Sequence, residues 1–448
     1  MGTIMIQMSL AILAGVIIYT LIGFIPGTDE TSVLVPITLA LVLTGVDPRV
    51  ILAFFIAAII TLSVTNAIPT SLVGLPGGVM ATPMMEHSLY LKDRGLSAVV
   101  IKKMAVGSLI GVVIALPTSL ILASLIAPYG ELLKQYSSLL FVGGAIFLSL
   151  LSKAKILSLL SIIPLSMLFM SLRHLYWGIG LVPETKNITV SFFLAITIGP
   201  LMINLIELFS KSNRVKLATD KDKEITIPNM DTKKLNPFKI ATKEEMGRAA
   251  LSSFLSNFLF VLSPVGLTIL FGEIMGKSKK GKTEESFLTI IVMSAMIQAT
   301  YISGILIPII ALGIPLSPVS IGPGIALFDA EPIFSTQHNI HHILSFKEML
   351  LPVIMAAVIA VTISYILTNK YASTISNFVL KKIPHEAILG LFIAFIILLS
   401  YMDAGIVNIF GVLLISIVSG FLNRQGVNYG VQFMALYAAP WIITQLVG

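Results

Sequence analysis

The sequence predicts an all-α polytopic membrane protein of about 11–13 membrane segments, a full crossing taking about 20 apolar residues. It predicts two inverted-topology repeats carrying broken helices and re-entrant hairpins. Three observations lead there. Mean hydropathy is +0.97, and 56% of residues are hydrophobic against 11% charged; soluble domains carry about 25% charged residues. Apolar runs long enough to cross a bilayer recur along the chain. Finally, one helix-breaking pattern occurs twice. Ile68-Pro69, four residues, then Gly74-Leu75-Pro76 is matched by Ile307-Pro308, four residues, then Gly313-Ile314-Pro315. Proline removes an amide donor and clashes one turn back. The polar groups freed by such a break in lipid must face protein or a wet cavity. Matching breaks in two halves are the sequence sign of a repeat-built transporter with a midplane site.

In chain order, residues 4–25 form the first span. This span lacks a basic leader and a small-residue cleavage site, so it is expected to be retained and not removed as a signal peptide. It breaks at Gly23-Phe24-Ile25-Pro26-Gly27, and a shorter apolar run, 33–44, follows. Residues 50–67 lead into the first motif. Lys92, Arg94, Lys102 and Lys103 then form a basic patch. Residues 105–127 span, with Gly107, Ser108 and Gly111 allowing close helix contact. Segments 139–151, 156–172 and 188–209 complete the first half. Arg173, His174, Tyr176 and Trp177 read as an interfacial group, which leaves none of the six arginines within an apolar span.

From Lys211 to Arg248 the chain carries ten Lys or Arg against six Asp or Glu. Residues 210–247 are therefore expected to be a basic cytoplasmic linker between an N-terminal membrane repeat, 1–209, and a C-terminal one, 248–448. The second half opens with 248–274, broken at Ser263-Pro264-Val265-Gly266. After Lys277, Lys279, Lys280 and Lys282, residues 287–312 run into the second motif. Segments 349–367, 387–401, 406–422 and 431–447 close the chain.

Loop charge sets the expected orientation. The loop after the first motif is basic, whereas its counterpart, 329–347, is acidic and rich in histidine. The loop before the second motif is basic, whereas its counterpart around Asp47 and Arg49 is nearly neutral. Lys and Arg favour the cytoplasmic side, so equivalent loops are expected on opposite faces, as inverted repeats require. Residues 248–274 then start and end on the cytoplasmic side as a re-entrant hairpin, with 4–44 as its counterpart.

Four broken elements supply the candidate substrate site. Thr28, Thr31 and Ser32 follow the first break. Asn66, Thr70, Ser71, Gly74, Gly77 and Gly78 flank the first motif. Ser263, Gly266 and Thr268 sit at the break in 248–274, and Gly313, Ser317 and Ser320 belong to the second motif. The amides of a half-helix N-terminus carry partial positive charge that suits a carboxylate. Carbonyls freed at an opposing end suit a sodium ion. Asp29, Thr65, Gln298 and Thr300 are the candidates for a coupling ion, Na+ or H+. Asp29 stands out because a carboxylate at membrane depth costs about 3 kcal/mol or more. Its alternative role is to cap the following helix. Glu30 is expected to share a solvated loop, and Asp403 to lie in a loop. His338, His341 and His342, near Asp329 and Glu331, are expected in an external loop and not at a metal site. No catalytic residue, metal or cofactor is expected.

The chain has no cysteine, which excludes disulfides and thiolate metal sites. Gly-x-Ser-x-Gly and His-Glu-x-x-His are absent, which argues against an intramembrane hydrolase. The net charge of +7 sits in a few loops and orients the chain in the bilayer; nucleic acid is not an expected partner. The reading is secondary active transport of a small organic anion, such as a carboxylate, by alternating access between the repeats. The alternative is a lipid-linked phosphate (polyprenyl phosphate) translocase, which would need lateral openings beside basic residues.

Several stretches resemble a known family. Gly23-Phe24-Ile25-Pro26-Gly27, Pro36, and Gly45-Val46-Asp47-Pro48 are similar to the opening of the large permease subunit of tripartite tricarboxylate transporters, the TctA family. Gly74-Leu75-Pro76-Gly77 to Lys92-Asp93-Arg94-Gly95 resembles its Asn-Ile-Pro-Gly stretch and basic loop. Residues 306–315 resemble its second repeat signature. The resemblance covers 23–111 and 248–328. It implies a multi-pass carboxylate transporter of the cell (cytoplasmic) membrane, driven by a Na+ or H+ gradient. It also implies a small membrane subunit and an extracytoplasmic substrate-binding protein as partners; a homo-oligomer is compatible with it. The chain departs from the family in three places. Gly74 replaces the family's Asn, residues 294–299 read Ser-Ala-Met-Ile-Gln-Ala in place of Pro-Glu-Ala-Ala-Asn-Asn, and Leu316 replaces a glycine.

Overall fold

The computed structural model describes residues 2–25, 30–72, 77–183, 188–208, 235–382 and 385–447. The chain is an all-α, multi-pass membrane protein. Among the described residues, 8 helices are long and apolar enough to cross a membrane, and shorter apolar helices cover Val33–Leu43, Ser138–Leu150 and Pro264–Met275. The first half comprises α1 (Gly2–Gly23), α2 (Glu30–Leu43), α3 (Pro48–Thr65), the short α4 (Ile68–Leu72), α5 (Met85–Lys92), α6 (Ser97–Ile126), α7 (Ser137–Leu151), α8 (Lys155–Gly178), α9 (Thr189–Thr197) and α10 (Gly199–Leu208). The second comprises α11 (Lys243–Ser256), α12 (Pro264–Met275), α13 (Lys282–Ile307), α14 (Phe346–Lys382), α15 (His385–Arg424) and α16 (Tyr429–Val447). Residues 188–209, expected as one segment, are two pieces. Pro200 interrupts the run, and Gly199 lies so close to the Gly420 backbone that no side chain fits between them.

The apolar spanning stretches of two helices are wholly enclosed: that of α3 with α4, and that of α13 with the turn that follows it. Lipid could cover an apolar helix as well as protein can; here other helices do. Around α3 pack α1 and α14; around α13 pack α6, α11 and α12. Small residues bring the helices together. Gly107 and Gly111 of α6 lie against the carbonyls of Ile291 and Ala295 on α13, and Gly15 of α1 lies against Phe54. α6 and α13 therefore run in the same direction. α14 runs with α3: Ser364 donates to Thr61 at 3.1 Å, and Arg49 is within electrostatic reach of Glu348. α3 and α13 run in opposite directions. Gln298 donates to the Ile60 carbonyl at 3.0 Å, while Ser71, further along α3's direction, meets Met104 near the start of α6.

The two halves interlock. α3 of the first half packs on α14 of the second, and α13 of the second packs on α6 of the first. α2 touches the turn Ile325–Leu327, and α12 touches the turn Val79–Met84. The remaining helices, α7 to α10 with α15 and α16, pack mainly on one another. α15 is kinked at Ala404 and Gly405, where φ of +71° at Gly405 leaves the helical region.

Residues 243–275 form a helix–break–helix hairpin whose ends meet. Arg248 near the start of α11 donates to the carbonyls of Met275 and Lys277, at 2.9 and 2.8 Å, closing the C-terminal end of α12 with a cation. Next to it Lys103 of α6 binds both oxygens of Glu245 at 2.6 and 2.7 Å, with side chains 8% and 4% exposed. Glu245 also completes a capping box with Thr242. Removing one member of a buried pair strands the other charge, at about 3–5 kcal/mol. Lys103→Met should lower stability by that order. Adding Glu245→Gln should recover most of it, because Gln keeps the capping box. Thermal unfolding of the detergent-solubilised variants measures both. At the loop before α3, Asp47 caps the helix by accepting from Arg49 N at 2.9 Å. The Arg49 guanidinium bonded to its side chain holds the Asp47 carboxyl below the usual carboxylate range.

Candidate functional site

The first motif is a tight excursion. α3 ends at Asn66, α4 continues for one turn, and the chain returns at Gly77 and Gly78 onto Asn66. A Cβ at Gly77 would overlap the Asn66 main-chain carbonyl, and one at Gly78 would overlap both the Asn66 amide and the Glu30 carboxylate. Only glycine permits that approach. Asn66 Nδ2 donates to Glu30 Oε1 at 2.9 Å, and the Met80 amide donates to the same oxygen at 3.2 Å. Glu30 is 5% exposed and opens α2, where the helix dipole favours a negative charge.

The second motif folds back in the same way. After α13 a π-helical turn, Pro308–Leu312, ends at Gly313 with φ +68°. The chain then returns so that Ser317 donates to the Gly304 carbonyl at 2.5 Å. Ser317 and Ser320 cap the short helix Pro318–Ile321. The carbonyls freed by the break are met from the following loop. His341 Nδ1 lies 3.1 Å from both the Ile309 and Ile310 carbonyls, and Asn339 Nδ2 donates to the Gly313 carbonyl at 2.9 Å. In the same loop His338 and His342 are exposed. Asp329 and Asn339 are fully buried, because the break needs donors that hydrocarbon cannot offer.

Between the two helix groups lies a cavity of about 80 Å³, lined by Glu30, Thr31, Met80, Pro264, Tyr301, Pro318, Val319, Pro323, Asn428, Tyr429, Gly430 and Phe433. Pro264, Glu30 and Tyr429 are the first residues of α12, α2 and α16. Three helix N-termini therefore converge on it, and among the described residues no Lys or Arg lines it. Phe433 stacks on Phe193 at 4.2 Å, tying this wall to α9.

The residues expected at a site divide into three groups. Thr31 lines the cavity, and Asn66, Gly77 and Gly78 form its Glu30 corner. Others serve the helices themselves. Thr65 bonds the Thr61 carbonyl, Thr300 bonds the Met296 carbonyl, and Gln298 joins α13 to α3. Ser71 meets Met104, and Ser263 caps α12 through the amide of an exposed Gly266. Thr70 and Thr268 are buried with hydroxyls that have no partner among the described residues. Gly313, Ser317 and Ser320 build the second break, as above. Thr28, Asp29, Gly74 and most of the 210–247 linker, with the side chain of Ser32, lie outside the described residues.

Sequence reasoning passed over Glu30, Tyr301, Asn428, Tyr429 and Phe433. The signal for Glu30 was present, since a second carboxylate adjoins Asp29 between two apolar runs. Two other charges also prove buried or bonded inside. Arg173 lies near the C-terminal end of α8, buried, and donates to Thr189 at 2.6 Å. Asp403, expected in a loop, accepts from Ser191 beside the α15 kink. Residues 276–283 also fit Gly-x-x-x-x-Gly-Lys-Thr. In nucleotide-binding folds that loop joins a strand to a helix. Here it joins α12 to α13, Lys280 pairs with Glu244, and Lys282 lies over the Tyr90 ring. It reads as a helix connection.

Among the described residues no group of three His, Cys, Asp or Glu could hold a metal ion. A family model described as Tripartite tricarboxylate transporter TctA family matches residues 10–435. No curated protein and no solved structure matches the chain.

Proposed function

The chain belongs to the tripartite tricarboxylate transporter TctA family, and from that membership together with its cavity we infer a secondary active transporter of small organic anions, carboxylates foremost. The observation that carries the reading is the convergence of the α2, α12 and α16 N-termini on one cavity lined by no cation among the described residues. Helix N-termini bind anions through amides and dipole, so a carboxylate needs no arginine there. Alternating access between two inverted repeats is supported by the matching order of hairpin, core helix and break in each half, and by the antiparallel run of α3 and α13. The cavity lies where the group around α3 and α13 meets α16 of the other group, the place where relative motion would open it to alternate sides. A small membrane subunit, an extracytoplasmic binding protein and a cytoplasmic-membrane location complete the proposal.

A thermal-shift screen of the purified chain in detergent tests it. Carboxylates of two or three acid groups, at about 100 times Kd, should add roughly 2.7 kcal/mol to the folded state. Stabilisation by phosphorylated polyprenyl lipids alone would overturn the reading in favour of a lipid-phosphate translocase.

A further inference from the structure

The face on which α6 and α13 begin carries two basic stretches, 92–103 and 277–282. Several of the cations there have carboxylate partners. Lys103 is paired with Glu245, and Arg248 and Lys280 share Glu244. Arg94 and Lys282 differ. Both are exposed, and among the described residues neither forms an ion pair with a carboxylate. Yet they are held together. The Arg94 guanidinium lies 3.6 Å from the centre of the Tyr90 ring, and its Nη1 donates to the Tyr90 carbonyl at 2.9 Å. The Lys282 ammonium lies 4.9 Å from the same ring centre. The electron-rich face of an aromatic ring attracts a cation, so one half-buried tyrosine gathers two like charges that would otherwise move apart. The tyrosine is itself held in place. Its hydroxyl lies 3.5 Å from Thr283 Oγ1, and His87 Nδ1, one turn earlier on α5, lies 3.1 Å from Ser286 Oγ.

Two gathered cations without a carboxylate suit a phosphate, whose oxygens accept charge-assisted hydrogen bonds from both. Depth in the membrane selects the kind of phosphate. Arg94 stands three residues before α6 and Lys282 opens α13, and both helices are of spanning length. The pair therefore lies where the spans leave the hydrocarbon, at the level of the headgroups, and basic pockets between helices at that level bind lipid headgroups. Val99, in the first turn of α6, is exposed and offers apolar surface to an acyl chain. We propose that Arg94 and Lys282, gathered on Tyr90, bind the phosphate of an anionic phospholipid headgroup. Arg94 belongs to the first half and Lys282 to the second, so the lipid braces the seam between α5 and α13. That seam adjoins the turn Val79–Met84, whose Met80 lines the cavity. The lipid site is separate from the cavity and does not rest on the transport reading.

Titration of short-chain phosphatidylglycerol into the purified full chain in a neutral detergent, read by native mass spectrometry, tests the site. Saturable binding is expected, with phosphatidylcholine, whose choline offsets the phosphate charge, binding more weakly. Arg94→Gln with Lys282→Gln should weaken phosphatidylglycerol binding about tenfold or more, the order of one charge-assisted hydrogen bond. Lys277→Gln with Lys279→Gln removes the same charge from exposed side chains of the loop before α13 and should change little. Tyr90→Leu keeps both cations but releases them, and should weaken binding; Tyr90→Phe keeps the ring face and should bind as the wild type does. Equal losses in the two double variants would reduce the patch to diffuse charge and overturn the site, as would wild-type binding by Tyr90→Leu. Displacement of the lipid by inorganic phosphate at equal concentration would overturn the lipid as the source of the phosphate. Failure of phosphatidylglycerol to bind saturably to the folded wild type would overturn the proposal whatever the variants do.

Discussion

Gly77→Ala should abolish substrate uptake while leaving the chain inserted in the membrane. The added Cβ would overlap the main-chain carbonyl of Asn66, and a backbone atom cannot swing aside as the end of a side chain can. Either the returning strand of the first motif or the end of α3 must move. Overpacking of this kind costs about 1–3 kcal/mol. Here the cost falls on the arrangement that sets Asn66 against Glu30, so the binding-competent population drops by up to roughly 100-fold, and apparent affinity with it. Gly78→Ala should act in the same direction through Glu30 itself. Gly143→Ala on α7 is the control: nothing lies within 4 Å of its Cβ position, and alanine is the better helix former by about 1 kcal/mol. Uptake in proteoliposomes, normalised to inserted protein, separates them. Full uptake by Gly77→Ala would remove the first motif from the site.

Gly313→Leu should be the corresponding loss at the second motif, for a different reason. Gly313 has φ +68°, a conformation costing a side-chain-bearing residue about 1–2 kcal/mol. A Cβ there would also stand 2.5 Å from His341 Cδ2. Displacing that ring uncovers the Ile309 and Ile310 carbonyls and loosens Asn339 from the Gly313 carbonyl, each an unmet buried acceptor worth about 1–3 kcal/mol. Uptake should fall to background and thermal stability should drop. His341→Ala should reproduce part of the stability loss, because it removes the same ring without straining Gly313. A stable, fully active Gly313→Leu would show that the π-helical turn tolerates rearrangement.

Much of the fold was legible in the residues. Apolar runs of spanning length located the helices, and proline with glycine located the breaks, because both signals are local: lipid tolerates no unpaired backbone and proline cannot donate. The hairpin 243–275 was legible from Pro264 and Gly266 between two apolar runs, and its closure by Arg248 follows from the cation it carries at one end. The site was less legible. Thr65, Thr300 and Ser263 have the residue types of ion and anion ligands, yet they bond their own helices. That choice depends on which face of a helix meets a cavity. Glu30 and Asp29 are neighbours with the same chemistry, and only the fold shows that Glu30 meets Asn66.

By itself the sequence determined that the chain lives in a bilayer, that its helices are interrupted twice in matched fashion, and that its family resemblance is to TctA permeases. Those follow from hydropathy, from the dihedral limits of proline and glycine, and from ordered motifs. Only the tertiary structure decided that Gly77 and Gly78 close on Asn66, that His341 and Asn339 meet the carbonyls of the second break, and that α16, far along the chain, completes the cavity wall with Tyr429 and Phe433. The physical reason is that these contacts join residues through packing between helices. Periodicity along one helix says which face is apolar, but not which other helix will cover it or where a gap will remain.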